Sequence, residues 1–264
     1  MWTDGIAFEQ FGVRFGIRTD SPHLMEHIIA RLPPGWSALP ANDVDVLFSL
    51  RVGRPARRGV RRYQMLYEGI RLRQRALDQD ALLDALESAL LIALAERAKD
   101  WTFVHAGVVG WQDQAILIPG TTLSGKTSLV AALLRAGATF YSDDLAVIDS
   151  RGWVHPYPTP LSIRETPGAR QVPVEPAAFG AATGAKALPV GLVAFTKFQT
   201  GASWMPKPLP AGQAMLALLQ HTSALRTRPR TVLQSLERMM AGAAAYSGLR
   251  GDALETAERL LTLL

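Results

Sequence analysis

The sequence predicts an α/β protein, a phosphate-loop domain preceded by a small α+β domain, and three observations carry that prediction. The first is the run Gly120, Thr121, Thr122, Leu123, Ser124, Gly125, Lys126, Thr127, where two glycines bracket four residues and a Lys-Thr pair follows. The second is its setting. Residues 115–119 form an unbroken apolar run of strand type, and residues 128–136 form an apolar-rich stretch of helix type that stops at Gly137. The third is a change of pattern near Trp101: alternating strands and a long helical run come before it, and buried-type strands come after it. The expected domains are therefore residues 1–100, with a linking helix, and residues 101–264.

Strand, glycine-bounded loop, Lys-Thr and helix is the context that gives the pattern a mechanism. The glycines let the backbone curl so that successive N–H groups face phosphate oxygens. The helix N-terminus adds partial positive charge. Lys126 reaches the terminal phosphates and the Thr127 hydroxyl holds Mg²⁺, so ATP and Mg²⁺ are the expected cofactors. Residues 120–128, ending at Ser128, are the expected binding segment.

Each element has its own signal. Residues 6–9 and 13–17 alternate as strands do, and Ser21-Pro22 opens a helix over 23–31 that Pro33, Pro34 and Gly35 end. Residues 44–50 and 62–67 read as further strands, with a turn at Glu68-Gly69. Residues 79–99 read as a long helix joining the two domains. Strands follow at 102–109 and 114–118 with a turn at 110–113, then the loop and its helix, then short strands at 138–141 and 145–148. Residues 155–189, rich in Pro, Gly and Ala, read as a long loop of the kind that is often functional. A strand at 190–195, helices at 211–221 and 230–241, a strand at 243–249 and an amphipathic helix at 252–263 complete the chain.

Composition sets limits. The 264 residues are 48% hydrophobic and 19% charged, enough for a sizeable core. No cysteine is present, which removes disulfides and thiolate metal sites and fits a reducing compartment. The first residues lack a signal-peptide pattern, and the apolar stretches are broken by charge, Pro or Gly, so a cytoplasmic protein with no membrane partner is expected. The formal charge of +5 is uneven: Arg51, Arg54, Arg57, Arg58, Arg61, Arg62, Arg71, Arg73 and Arg75 face one acid, Glu68. That cluster suits an acidic peptide or a solvated arginine-rich face. No nucleic-acid-binding motif accompanies it, so nucleic acid is not an expected partner.

Binding alone does not define a reaction. Asp143 and Asp144, 16 residues beyond Thr127, supply what phosphoryl transfer needs in addition: a group beside the metal and a group beside the attacking hydroxyl. The same pair also reads as a polar turn. His105 lies in an apolar strand one strand before the loop's own, where a histidine is commonly a satisfied core residue. Strand pairing decides whether it reaches the loop.

These residues together resemble the catalytic domain of HPr kinase/phosphorylase, and more closely the shorter HPr-kinase-related proteins of bacterial peptide-modification clusters, of the lasso-peptide kinase type. The run His105 to Val109, the loop 120–127, Leu133 to Gly137 and Ser142 to Asp149 occur in that family's order, and residues 155–164 resemble its proline-rich stretch. The resemblance covers residues 101–165 well and 190–264 loosely, and it leaves out residues 1–100. It implies an HPr-kinase-like fold in a bacterial cytoplasm. It also implies an active-site role for His105, Lys126 and Thr127 on phosphate and Mg²⁺, Asp143 as general base, and Asp144 on the metal and its waters. Arg164 and Glu165 are candidate substrate residues. Three departures accompany it: Leu123 stands where a second glycine is usual, Ser162 stands where the family has a metal-ligating glutamate, and no HPr-docking signature follows, so HPr is not the expected acceptor.

The resulting expectation is an ATP- and Mg²⁺-dependent kinase acting on a Ser or Thr hydroxyl of a peptide or protein. A small-molecule hydroxyl and a non-catalytic nucleotide-binding or peptide-presenting module are the alternatives. Homo-oligomerisation is left open.

Overall fold

The computed structural model describes residues 2–40, 43–53, 63–121, 124–163 and 172–264. The chain divides into two compact units, Met1–Lys99 and Asp100–Leu264. No helix among the described residues is long and apolar enough to cross a membrane.

In the first unit, β1 (Asp4–Gln10) and β2 (Val13–Thr19) form a hairpin. Its two turn residues, Phe11 and Gly12, both have positive φ, the twist a two-residue hairpin needs. Helix α1 (His23–Ile29), the short β3 (Ser37–Ala38), β4 (Val46–Arg51), β5 (Gln64–Glu68), β6 (Arg71–Ala76) and α2 (Gln79–Arg97) follow. The strands form one sheet in the order β3-β1-β2-β4-β5-β6. Its buried face is built from Phe8, Phe15, Ile17, Phe48, Leu50 and Leu66, and Phe8 stacks on its cross-strand partner Phe15 at 5.2 Å. The Asp78 carboxylate caps α2 by accepting the Ala81 N–H at 2.8 Å. Helix α2 packs on β5 and β6 and buries Leu82, Leu83, Leu86, Leu90 and Leu94. The helix expected as a connector is thus a core element of this unit. Strand β6 lacks an apolar period because it is an edge strand: Arg71, Arg73 and Arg75 stand exposed on it, and Arg73 pairs with Glu68. The arginines between residues 54 and 62 lie outside the described residues.

The second unit is a mixed α/β sandwich. Its elements are β7 (Thr102–Trp111), β8 (Gln114–Pro119), α3 (Lys126–Arg135), β9 (Thr139–Ser142), β10 (Leu145–Ile148), β11 (Trp153–His155), β12 (Leu161–Ile163) and β13 (Val172–Val174). Then come β14 (Leu188–Phe198), β15 (Lys207–Pro208), α4 (Ala211–Leu219), α5 (Pro229–Met240), β16 (Ala244–Arg250) and α6 (Ala253–Leu261). The main sheet runs β11-β10-β7-β8-β14-β16-β15, and β9 also pairs with β7. Strand β11 pairs again with the start of β14, so β11, β10, β7, β8 and β14 close a ring. Strands β8, β14 and β16 are parallel, and their C-terminal ends share one edge.

The strands alternate between two cores. Val109, Ile116, Ile118, Leu192 and Ala194 face one core with residues of α3 and α6, while Val108, Ala115, Leu117, Val193 and Ala245 face another with residues of α4 and α5. Burial on both faces is why these strands read as continuous apolar runs. The short strands β11, β12, β13 and β15 have no such signature. Two of them, β12 and β13, form a two-stranded sheet inside the stretch expected to be loop.

Helix α3 lies directly on β7, and the contact is possible because residue 107 is glycine. A Cβ on Gly107 would sit 2.5 Å from Val130 Cγ2. Gly107→Ala is expected to destabilise the protein by about 1–3 kcal/mol, as overpacking does. The double variant Gly107→Ala, Val130→Ala should lose less than the sum of its parts, because the two changes share one contact. Denaturant unfolding checks this, and strict additivity would show that the contact is not the cause.

Candidate active site

The site is assembled around β7. Strand β8 pairs with it in the register Ala106 to Pro119, so His105 comes opposite the start of the loop, and its carbonyl accepts the Gly120 N–H at 3.3 Å. On the other side, β10 pairs with residues 102–105 and β9 with residues 108–110 of the same strand. Asp143 and Asp144 occupy the interruption between β9 and β10. Ser142 holds that interruption: its hydroxyl oxygen accepts the Leu145 N–H at 3.1 Å. One strand thereby gathers His105, the loop and both aspartates.

The loop opens at Gly120, where a Cβ would sit 2.6 Å from Ser124 Oγ. It closes at Gly125, which has φ +85° and precedes the first helical residue, Lys126. Thr121 accepts the Ser124 N–H at 3.2 Å. Thr122 and Leu123 lie outside the described residues. Ser128 is an exposed residue of α3.

Lys126 is 6% exposed. Its ammonium donates to Gly120 O at 2.8 Å, to Thr121 O at 3.0 Å and to His105 Nε2 at 3.1 Å. Burial lowers its pKa, and Asp144 and Asp143 act against that fall. Because a lysine ammonium has donors only, the contact fixes Nε2 as the acceptor nitrogen of His105. The proton of the neutral ring then sits on Nδ1, which lies 3.1 Å from Asp144 Oδ1. Lys126, His105 and Asp144 thus form one chain. Burial lowers the His105 pKa, Asp144 opposes the fall and Lys126 adds to it.

The two aspartates differ in surroundings. Asp143 is 6% exposed, and its Oδ2 accepts the Thr127 hydroxyl at 2.8 Å. Its Oδ1 is buried without a hydrogen bond among the described residues, although the Ser162 amide of β12 is near enough to favour the charge. Burial is the larger effect and raises the Asp143 pKa. Asp144 is open, with a side chain 58% exposed.

Three more residues stand at the site without having been expected there. The His221 carbonyl accepts the His105 N–H at 2.7 Å, and the His221 pKa is lowered by burial and by the nearby His105 and Lys126. Arg250, the last residue of β16, donates from Nη2 to Gly125 O at 2.6 Å, and Phe198 lies beneath its guanidinium. None of the three has a sequence pattern tying it to the loop; strand pairing brings in Arg250 and Phe198, and the turn after α4 brings in His221. Arg164 and Glu165 lie outside the described residues, as does any contact they make.

The chain of contacts fixes the signs of its titration. His105 is expected to titrate below its ordinary value of 6.5. Asp144→Asn should move it lower still, because a charge that favours the imidazolium is lost. Lys126→Met should move it higher, because a cation that opposes it is lost. NMR titration of the His105 ring protons checks both directions, and a rise in Asp144→Asn would break the chain.

No family model matches this chain, and no curated protein matches it. Among solved structures, it is similar to the HPr(Ser) kinase/phosphatase from Coxiella burnetii, with 16% identity and a TM-score of 0.32 over 61% of this chain and 92% of that one.

Proposed function

We propose that the protein is an ATP- and Mg²⁺-dependent kinase that transfers the γ-phosphoryl group to a hydroxyl, with a Ser or Thr of a peptide or protein as acceptor. The observation that carries this reading is the separation of the two aspartates by their partners: Asp143 on Thr127, Asp144 on His105. A phosphate loop that only held a nucleotide would need the first pair and not the second.

The residues present suit Mg²⁺. The Thr127 hydroxyl and the buried Oδ1 of Asp143, which has no hydrogen bond among the described residues, are hard oxygen ligands on neighbouring side chains. Among the described residues, no group of three or more His, Cys, Asp or Glu side chains could enclose a metal. That fits an ion that takes its remaining ligands from water and substrate phosphates. When bound, Mg²⁺ neutralises charge on the phosphate oxygens.

The family resemblance implied Asp143 on the acceptor's proton and Asp144 on the metal. The hydrogen bonds argue for the reverse. Asp143 is enclosed beside Thr127, whereas Asp144 is open to an incoming hydroxyl and held in place by His105 Nδ1. In the proposed step the acceptor's O–H proton passes to Asp144 and its oxygen bonds to the γ-phosphorus. The bond from that phosphorus to the bridging oxygen breaks, and ADP leaves with the electron pair. Lys126 holds the phosphates and keeps His105 in the tautomer that serves Asp144. Such transfer is mostly positioning and charge neutralisation.

The test is phosphate transfer to peptide acceptors with three variants. Lys126→Met should weaken Mg-ATP binding and remove turnover. Asp144→Asn should lower kcat about 10²–10⁴-fold, the usual cost of losing a general base, with an unchanged Mg²⁺ requirement. Asp143→Asn should raise the Mg²⁺ requirement. Metal dependence that follows Asp144 instead would restore the opposite division of roles. Tight Mg-ATP binding with no transfer to any hydroxyl, peptide or small molecule, would favour a non-catalytic nucleotide-binding module.

A further inference from the structure

We propose that Arg250 is a positioning residue of the phosphate loop, fixing the peptide plane between Gly125 and Lys126 so that the Lys126 N–H faces the phosphates. The inference rests on the reading that residues 120–127 bind a nucleotide.

Arg250 is a residue the fold has gone to some length to bury. It is 2% exposed at the end of β16, in register with Phe198 at the end of β14. Its guanidinium carbon lies 5.4 Å from the centre of the Phe198 ring. Among the described residues its acceptors are two backbone carbonyls, Gly125 O at 2.6 Å and Gly251 O at 3.2 Å. No carboxylate of the described residues forms an ion pair with it, and its Nε is buried without a hydrogen bond among them. Burial lowers its pKa, with the charge of Asp252 opposing. A buried cation without a carboxylate is costly, so packing alone is a poor reason for an arginine here.

Its main contact explains its place. In a trans peptide the C=O and N–H point in opposite directions. Drawing the Gly125 carbonyl toward Arg250 therefore turns the Lys126 N–H to the opposite side. That N–H is the first of the helix-terminal donors that lack an intrahelical partner, and such donors are what a phosphate loop offers an anion. Gly125 is matched to this contact twice. Its φ of +85° suits glycine, and a Cβ there would lie 2.2 Å from Arg250 Nη2. The same carbonyl also accepts the Leu129 N–H at 3.3 Å, so the clamp extends into the first turn of α3.

Calorimetric titration with Mg-ATP on the full chain tests this, using Arg250→Lys as the deciding variant because it keeps a cation but lacks the planar guanidinium fork whose Nη1 and Nη2 reach the two carbonyls. Affinity is expected to fall about 10- to 100-fold, the scale of a hydrogen bond from a charged group. Arg250→Met should fall at least as far. Lys126→Met serves as the control on the underlying reading. If Arg250→Lys binds as wild type does while Lys126→Met does not bind, the positioning role is overturned and the phosphate-loop reading stands. If Lys126→Met binds as wild type does, both fall. The folded wild type offers a second measurement, which covers the case in which the Arg250 variants do not fold. Mg-ADP should shift the Lys126 amide NMR signal strongly, and an unmoved signal would overturn the proposal.

Discussion

The register between β7 and β8 is the constraint on which the second unit depends. Alternate residues of a strand face opposite sides, so a slip of one residue would exchange the two cores. Val108 and Val109 would trade places, and so would Leu117 and Ile118, whose partners belong to different helix pairs. The hairpin turn fixes the register locally: Gln112 and Asp113 both take positive φ, as a two-residue connection with the right twist requires. Neither is glycine, so the turn carries some backbone strain that the buried strands on either side offset. Because the register holds, His105 stands opposite Gly120 and the loop begins where the histidine is.

From that alignment the electrostatics follow. Lys126 and Arg250 are both buried cations, and both are held chiefly by backbone carbonyls. Carbonyl dipoles hold such charges in place without neutralising them, which suits the anion-binding role proposed for the loop. The aspartates near Lys126 sit in unlike environments, one enclosed with Thr127 and one open beside His105. Two neighbouring carboxylates placed so differently are suited to different tasks, which is the basis of the division of labour proposed above.

The first unit shows a different balance. Its core is aromatic and aliphatic on one face of a sheet, and the outer edge is charged. Arginines on β6 discourage pairing with another strand edge, and Arg73 and Arg97 share Glu68. The three arginines that β6 contributes to the arginine-rich stretch thus stand exposed on this edge.

What the sequence determined by itself is what depends on near neighbours along the chain. Apolar runs marked the doubly covered strands, and the glycines and Lys-Thr marked the loop. The long helical run at 79–99 and the amphipathic one at 252–263 marked two helices, whose capping bonds to Asp78 and Asp252 the structure then shows. The strand β6 and the short strands β11, β12, β13 and β15 were not legible, because edge position and a few pairing partners leave no period to read. Which aspartate meets Thr127 was equally hidden, since adjacent residues look alike until the turn at Ser142 sends them to different partners. Arg250 was hidden most completely. It lies 125 residues from Gly125 in sequence, and only the parallel pairing of β8, β14 and β16 brings its guanidinium to the loop. Tertiary structure decided these points because hydrogen bonds and charges act through space, whereas a sequence displays only the spacing along the chain.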